Sequence, residues 1–540
     1  MSVDFNIADR LQEVAEQRGG HWALADGDHP EADRLSFEDL DEDATQLARG
    51  LLHEGFEPGD RVLVFIKPSL DFFALVWALF RMGAVPIFID PAMGTKPVLR
   101  AIREADPQRV VAIEAVLWVA KFYPSVFSGV KTWIRPQSVG LLGRSLPELR
   151  KLGAKSNARV RHPAGREGLA AVLFTSGSTG FPKGVLYSHG IFDGQRAALG
   201  ASLGIQPGEV DFSAFPLFSC FSLILGASVV VPNMDTTKPG AVDPTPVLES
   251  IDRFGVTYAF GSPAFWRRLV ASRRRNALQG LSRVLMAGAP APPDLLKELL
   301  RSISPRADVF TPYGATESLP VSMPSARRYV QGFLTRTLEG EGTWVGRPVE
   351  GVELKIIPIT DEPLDEIEEE LPPNEVGEII VRSAVTTPGY FMRPVADAAA
   401  KIHAGDGPTW HRMGDLGYLD EAGHLWFCGR KSHRVVTRAE TVFPVQVEAL
   451  VNQHPRVFRS ALVGVGERGR ERPVLVIECR SGERPRGRQD RRRLAGELET
   501  ASGRPDLAAV LFRASLPVDA RHNAKIRREL IKEWAEGHVR

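Results

Sequence analysis

Residues 61–90 contain a strand-like run, a helix-like run and a second strand-like run in order: "RVLVFI" (61–66), "LDFFALVWALF" (70–80) and "VPIFID" (85–90). Turn signals at Gly83 and Pro91 close the second and third runs. Two strands joined through a helix make a βαβ unit, and such units build parallel sheets with helices on their faces. The same rhythm returns at "LAAVLFT" (169–175), "ASVVVP" (227–232) and "VTYAFG" (256–261), with no repeat of fixed period. A chain of 540 residues exceeds what one core organises, so the fold expected is α/β in two domains. A large N-terminal domain over 1–429 carries βαβ-type sheets with flanking helices. Beyond Gly429 the pattern becomes short strands and helices, a small α+β domain over 430–540.

Composition removes several classes of partner. A formal net charge of +1 gives nucleic acid or an anionic membrane nothing to grip. The apolar run 70–80 is too short to cross a bilayer, and the N-terminal stretch 1–20 reads as a surface helix on Ile7, Leu11 and Val14. Cys220, Cys428 and Cys479 are far apart, which suits a reducing cytoplasm. Acidic 361–375 and basic 484–493 are expected as exposed connectors, the latter a solvated helix face.

The chemistry concentrates in "TSGSTGFPKG" (175–184), placed directly after a buried-type strand. Backbone N–H groups of Gly177 and Gly180, the hydroxyls of Thr175, Ser176, Ser178 and Thr179, and the charge of Lys183 can together wrap phosphate oxygens. This is not a P-loop, since Pro182 precedes Lys183 and Gly184 follows it. Nor is it a nucleophile elbow, because Gly177 and Gly180 frame only two residues. A plain surface loop would not gather three glycines, four hydroxyls and a lysine in ten positions.

That stretch resembles the signature loop of the adenylate-forming superfamily of acyl-CoA synthetases, adenylation domains and luciferases. Further matches follow in the family's order: "AGAP" (287–290), "YGATE" (313–317), "HRMGDLG" (411–417), "GRKSHRV" (429–435) and "NAKIRR" (523–528). The resemblance implies ATP and Mg²⁺ as cofactors. Gly288, Ala289 and Pro290 would line the adenine, and Tyr313 of Tyr313-Gly314-Ala315-Thr316-Glu317 would stack on it. Glu317, with Thr175, would hold Mg²⁺; Asp415 would take the ribose hydroxyls. Arg430 would stand at a hinge near 430–433 that makes the small domain mobile. Lys525 would reach the carboxylate and α-phosphate, completing with Glu317 and Thr175 the catalytic set.

The chain departs from typical CoA ligases of this family. Ala439 stands where a glycine usually admits the pantetheine thiol, and a Cβ there obstructs close backbone approach. Ser432 replaces the usual Asp or Lys of the hinge, Ser219 replaces a frequent histidine, and Pro517 lies eight residues before Lys525. With "PVDARHNAKIRRE" (517–529), these departures resemble the β-lactone-forming branch that serves bacterial long-chain olefin formation. That resemblance implies a 2-alkyl-3-hydroxyalkanoic acid activated as its adenylate and closed by its own 3-hydroxyl, without CoA. A tethered hydroxyl competes well because its translational entropy is already lost, with effective molarities of ~10⁵ M or more in favourable cases. Phe215, Phe218 and Phe221 are candidates for the pocket wall or ordinary core aromatics. His189, His411 and His522 are candidate bases, each more readily a structural histidine. The competing expectations are a long-chain fatty acid–CoA ligase, an acyl-AMP ligase loading a carrier protein, or a nucleotide-binding module without catalysis. Partners expected are the small-molecule acid and, by resemblance, other olefin-pathway enzymes.

Overall fold

The structure is a computed structural model that describes residues 4–27, 34–137, 143–176, 181–403, 408–518 and 526–539. Gly177, Ser178, Thr179, Gly180, His522 and Lys525 lie outside the described residues.

The 61–90 unit forms as expected. Strands Arg61–Phe65 and Val85–Ile89 pair in parallel, Arg61 opposite Val85, around the helix Leu70–Met82. Ser69 caps that helix by accepting the Phe72 N–H at 3.2 Å, and Gly83 ends it in the left-handed region at φ 79°. From Phe72 to Met82 every residue of the helix is buried, and all but Arg81 are apolar. With helix Phe37–His53 it lies in a core that takes Leu24 and Val229 from one sheet and Val62, Val64 and Ala170 from another.

Those two sheets are the frame. One runs Asp308–Phe310, Arg283–Met286, Tyr258–Gly261, Val210–Ser213, Ser228–Val231, Trp22–Asp26, Arg34–Ser36, parallel up to the last pair. The other runs Arg144–Ser145, Thr132–Arg135, Arg109–Ala112, Arg61–Phe65, Val85–Ile89, Leu169–Ser176, Pro182–Ser188 and is also parallel up to its last pair.

A third sheet goes beyond the expectation of βαβ units alone. Thr343–Trp344, Leu425–Arg430, Trp410–Leu419, Gly377–Arg382 and Glu353–Ile357 pair antiparallel. It carries Asp415 and Arg430. The acidic stretch beside it is less detached than a connector, for Leu364 and Ile367 pack against Ile357 and Trp410.

From Val435 onward the chain packs two hydrophobic clusters of its own residues. They lie about the strands Val457–Val465, Arg472–Cys479 and Ala509–Arg513 and the helices Pro444–Val451, Gly487–Ala501 and Arg528–Glu536. The basic run enters the Gly487–Ala501 helix, which buries Leu494 and Leu498 and leaves most of its arginines exposed. Among the described residues, no helix is long and apolar enough to cross a membrane.

Candidate active site

Ligands of parallel α/β sheets lie beyond the carboxyl ends of the strands, and two expected motifs emerge there from neighbouring strands. Ala287–Pro290 follows Arg283–Met286, with the Ala287 N–H donating to the Gly261 carbonyl at 3.3 Å. Gly288 has φ 93°, a conformation that costs any side chain dearly, which is why glycine stands there. Gly288 and Pro290 are exposed and Ala289 is half-buried. Tyr313–Ala315, reached from Asp308–Phe310, pairs antiparallel with Ser318–Ser322, so Thr316 and Glu317 form the tight turn between them.

Three groups converge on the Tyr313 side. Asp415 and Arg430 face each other in register on neighbouring strands. Arg430 Nη1 lies 3.0 Å from Asp415 Oδ1 and donates to the Met413 carbonyl at 3.2 Å, while the Tyr313 hydroxyl donates to Asp415 Oδ2 at 2.9 Å. Burial first, and then the Asp415 charge, push the Tyr313 phenol well above its ordinary range. The Asp415 carboxylate also raises Arg430, whose charge is thereby secured.

A second group surrounds Glu317. The Tyr390 hydroxyl donates to Glu317 Oε1 at 2.7 Å, and the Thr387 N–H donates to the Glu317 carbonyl at 2.8 Å. Lys183 Nζ stands 4.9 Å from the Tyr390 ring centroid. Thr175 lies directly opposite Lys183 in the antiparallel pair of Leu169–Ser176 and Pro182–Ser188. Gly184 is required here, since a Cβ would come within 2.8 Å of Val172 Cγ1, and its carbonyl accepts the Phe391 N–H at 2.7 Å. Thr175 hydroxyl and Glu317 carboxylate are hard oxygen donors, the kind Mg²⁺ takes. Among the described residues the structure thus links Lys183 and Glu317 through Tyr390, with Thr175 opposite Lys183, and Tyr313, Asp415 and Arg430 directly. Gly177–Gly180 and Lys525, being outside those residues, are placed by sequence alone.

An aromatic wall adjoins the Glu317 turn. The Tyr187 hydroxyl donates to the Thr316 carbonyl at 2.5 Å, and Gln195 Nε2 donates to the Leu319 carbonyl at 3.0 Å. From Tyr187 the rings continue to Phe192 (5.0 Å between centroids), Phe221 (6.0 Å) and Phe218 (6.3 Å). Phe218 stacks on Phe260 at 4.8 Å, and Phe215 meets the same ring at 6.4 Å. Phe215, Phe218 and Phe221 are half-buried, whereas Ser219 is fully buried behind them. Beneath lies Asp211, accepting from the Ser222 hydroxyl at 2.9 Å and with burial pushing its carboxyl up to about 7.

Of the three candidate histidines, His522 lies outside the described residues, and His189 and His411 are both engaged within the fold. His189 Nδ1 accepts the Ile7 N–H at 3.1 Å under the N-terminal helix, and burial lowers its imidazole to about 4. His411 Nδ1 donates to the Ala400 carbonyl at 3.1 Å, and burial holds this ring neutral too. Sequence reasoning missed Tyr187, Phe192, Thr387, Tyr390 and Lys401. The one signal near them was Gly389, where a Cβ would meet Asp397 Oδ1 at 2.8 Å.

The profile of the AMP-binding enzyme family matches residues 11–391. The olefin beta-lactone synthetase of Stenotrophomonas maltophilia (strain K279a) is 40% identical, over 100% of this chain and 99% of that protein. The olefin beta-lactone synthetase of Xanthomonas campestris pv. campestris is 38% identical over 99% and 98%. Among solved structures, ATP-bound MatB from Rhodopseudomonas palustris superposes with a TM-score of 0.78 at 21% identity, covering 99% of this chain and all of the other.

Proposed function

The chain belongs to the family of AMP-binding enzymes, and on that footing we propose that it is an AMP-forming olefin β-lactone synthetase acting on a 2-alkyl-3-hydroxyalkanoic acid. The observation that carries this reading is the end-to-end identity of 40% with an olefin beta-lactone synthetase. The reaction has two halves. A carboxylate oxygen bonds to the α-phosphorus of ATP and pyrophosphate departs. The 3-hydroxyl oxygen then bonds to the carbonyl carbon, the bond to AMP breaks, and the hydroxyl proton is lost. The sum is acid plus ATP to β-lactone, AMP and pyrophosphate.

A carboxylate approaching an anionic phosphate needs positive charge around it. In this reading Lys183, with the hydroxyls and N–H groups of Thr175–Gly180, grips the β- and γ-phosphates. Tyr313 and Gly288–Pro290 hold the adenine, and Asp415, with Arg430 beside it, the ribose. Glu317 and Thr175 would hold Mg²⁺, which when bound supplies charge to the phosphates. Lys525 brings its ammonium to the carboxylate and α-phosphate. The Phe215–Phe218–Phe221 wall, continued by Phe192 and Phe260, folds the alkyl chains so that hydroxyl and carbonyl meet away from water. The same reading has the enzyme working in the cytoplasm and assembling with other olefin-pathway enzymes.

The test is an incubation of the chain with racemic 2-alkyl-3-hydroxy acid, ATP and Mg²⁺ without CoA. The expected result is a lactone carbonyl band with one AMP per lactone. Turnover that requires CoA and yields a thioester would instead establish a CoA ligase.

A further inference from the structure

Lysine is among the side chains least often found fully buried, yet Lys401 is 2% exposed. No carboxylate among the described residues lies within ion-pair distance of its ammonium. Its partners are the Thr387 carbonyl and, at 3.3 Å, the Thr387 hydroxyl. Burying an ammonium with only neutral oxygens as partners is costly.

What the contact holds is a strap, residues 386–391, stitched to both halves of the Glu317 cluster. On one side Leu186 N–H donates to the Gly389 carbonyl at 3.1 Å and Phe391 N–H to Gly184, tying the strap to the strand that carries Lys183. On the other, Thr387 N–H takes the Glu317 carbonyl and the Tyr390 hydroxyl takes the Glu317 carboxylate. The next helix, Pro394–Ala400, anchors the strap from below: Asp397 Oδ1 accepts the Tyr390 N–H at 2.7 Å, and Lys401 follows directly. Thr387 is therefore a single residue gripped from two directions, its N–H on Glu317 and its carbonyl on Lys401.

We propose that Lys401 is a positioning residue of the adenylation site: by holding the Thr387 carbonyl it sets the strap that orients the Glu317 carboxylate and Tyr390 beside Lys183. The inference rests on the reading of Glu317 as the Mg²⁺ carboxylate. Burial lowers the Lys401 ammonium to about 8, while Glu317 and then Asp397 pull the other way, so it remains charged at neutral pH.

Lys401→Met keeps the length of the side chain and removes the charge. Titration calorimetry of the full chain with ATP, with Mg²⁺ and with a chelator, reads binding apart from turnover. The variant should bind ATP in chelator within about twofold of wild type. The Mg²⁺ concentration giving half-maximal ATP binding should rise at least about fivefold. In a Glu317→Gln background the substitution should change Mg²⁺ dependence no further, because it acts through that carboxylate. An unchanged Mg²⁺ midpoint in Lys401→Met, or an undiminished effect in the Glu317→Gln background, overturns the proposal. If Lys401→Met does not fold, Lys401→Gln is carried through the same measurements, and the same results support or overturn the proposal. A wild type that binds ATP without regard to Mg²⁺ would overturn the metal reading of Glu317 together with this inference. A normal wild type with an unaltered variant overturns this inference alone.

Discussion

Asp211 shows how a single side chain registers its surroundings. It sits on the central strand Val210–Ser213, fully buried, with Ser219 and Ser222 reaching it from the helix that carries Phe218 and Phe221. The titratable neighbours are Tyr258, opposite it on the next strand, and beyond that the Glu209–Arg283 pair. Its carboxyl titrates near 3.8 in the unfolded chain and about 7 when folded. Between those values the unfolded state has released the proton and the folded state keeps it, so wild-type stability falls as pH rises across that window. Above about pH 7 the loss is complete. Asp211→Asn has no proton to lose. Its stability relative to wild type should therefore improve between about pH 5 and pH 7.5 by a few kcal/mol, since each pH unit inside the window is worth about 1.4 kcal/mol. Urea unfolding at the two pH values checks this. A difference that does not change with pH would mean that Asp211 is ionised in the fold.

At the scale of elements, the parts that sequence made legible are those whose physics is local. The βαβ unit at 61–90 announces itself through period, Ser69 and Gly83, because helix capping and strand alternation are set within a few residues. Of the candidate site, Tyr313 and Asp415 stood out in the sequence as motif residues, and the fold joins them at 2.9 Å, whereas residues 177–180 lie outside the described residues. The antiparallel sheet between Thr343 and Arg430 was not legible, since its strands pair across long separations and Trp410–Leu419 carries no clean alternation. The Thr386–Phe391 strap was hidden for the same reason. Tyr390 and Glu317 are far apart in sequence, and only the fold brings them to 2.7 Å. Lys401 looks like any lysine until burial is known. The same sheet supplies a prediction. Glu378 is fully buried between Arg412, at 2.7 Å, and Lys431, at 2.9 Å, and so ties the strand Gly377–Arg382 to the segment that follows Arg430. Glu378→Gln leaves two cations without their counter-charge and should destabilise the chain by about 3–5 kcal/mol. Limited proteolysis should then find a new cut near Ser432. A variant as stable and as resistant as wild type would show that the cluster does not anchor this segment.

For the whole molecule, Arg430 and Lys431 are held by Asp415 and Glu378, whereas Ser432 is exposed. In the proposed cycle the part beyond Ser432 turns as a body, carrying Lys525 with it. Among the described residues, what would have to part includes Arg434 and Arg468 on Asp361, Gln453 on the Leu338 carbonyl, and the packing of Phe443 on the cluster of Trp344 and Trp426. Arg434 is buried in its pair, whereas Arg468 is exposed, and an exposed pair of that second kind contributes about 0–1 kcal/mol. Ala439, at the tip of the hairpin between Val435–Val436 and Thr441–Val442, stands exposed in this arrangement. The proposed reaction has one chemical order of events, activation of the carboxylate followed by attack of the substrate's own hydroxyl. A substrate labelled with ¹⁸O in both carboxylate oxygens tests it most directly, with the products weighed by mass spectrometry in the presence and absence of CoA. The predicted result is AMP bearing one heavy oxygen and a lactone retaining the other in its carbonyl, unaffected by CoA. Unlabelled AMP with both heavy oxygens left in the lactone would mean that the hydroxyl, not the carboxylate, had been activated, and would contradict it.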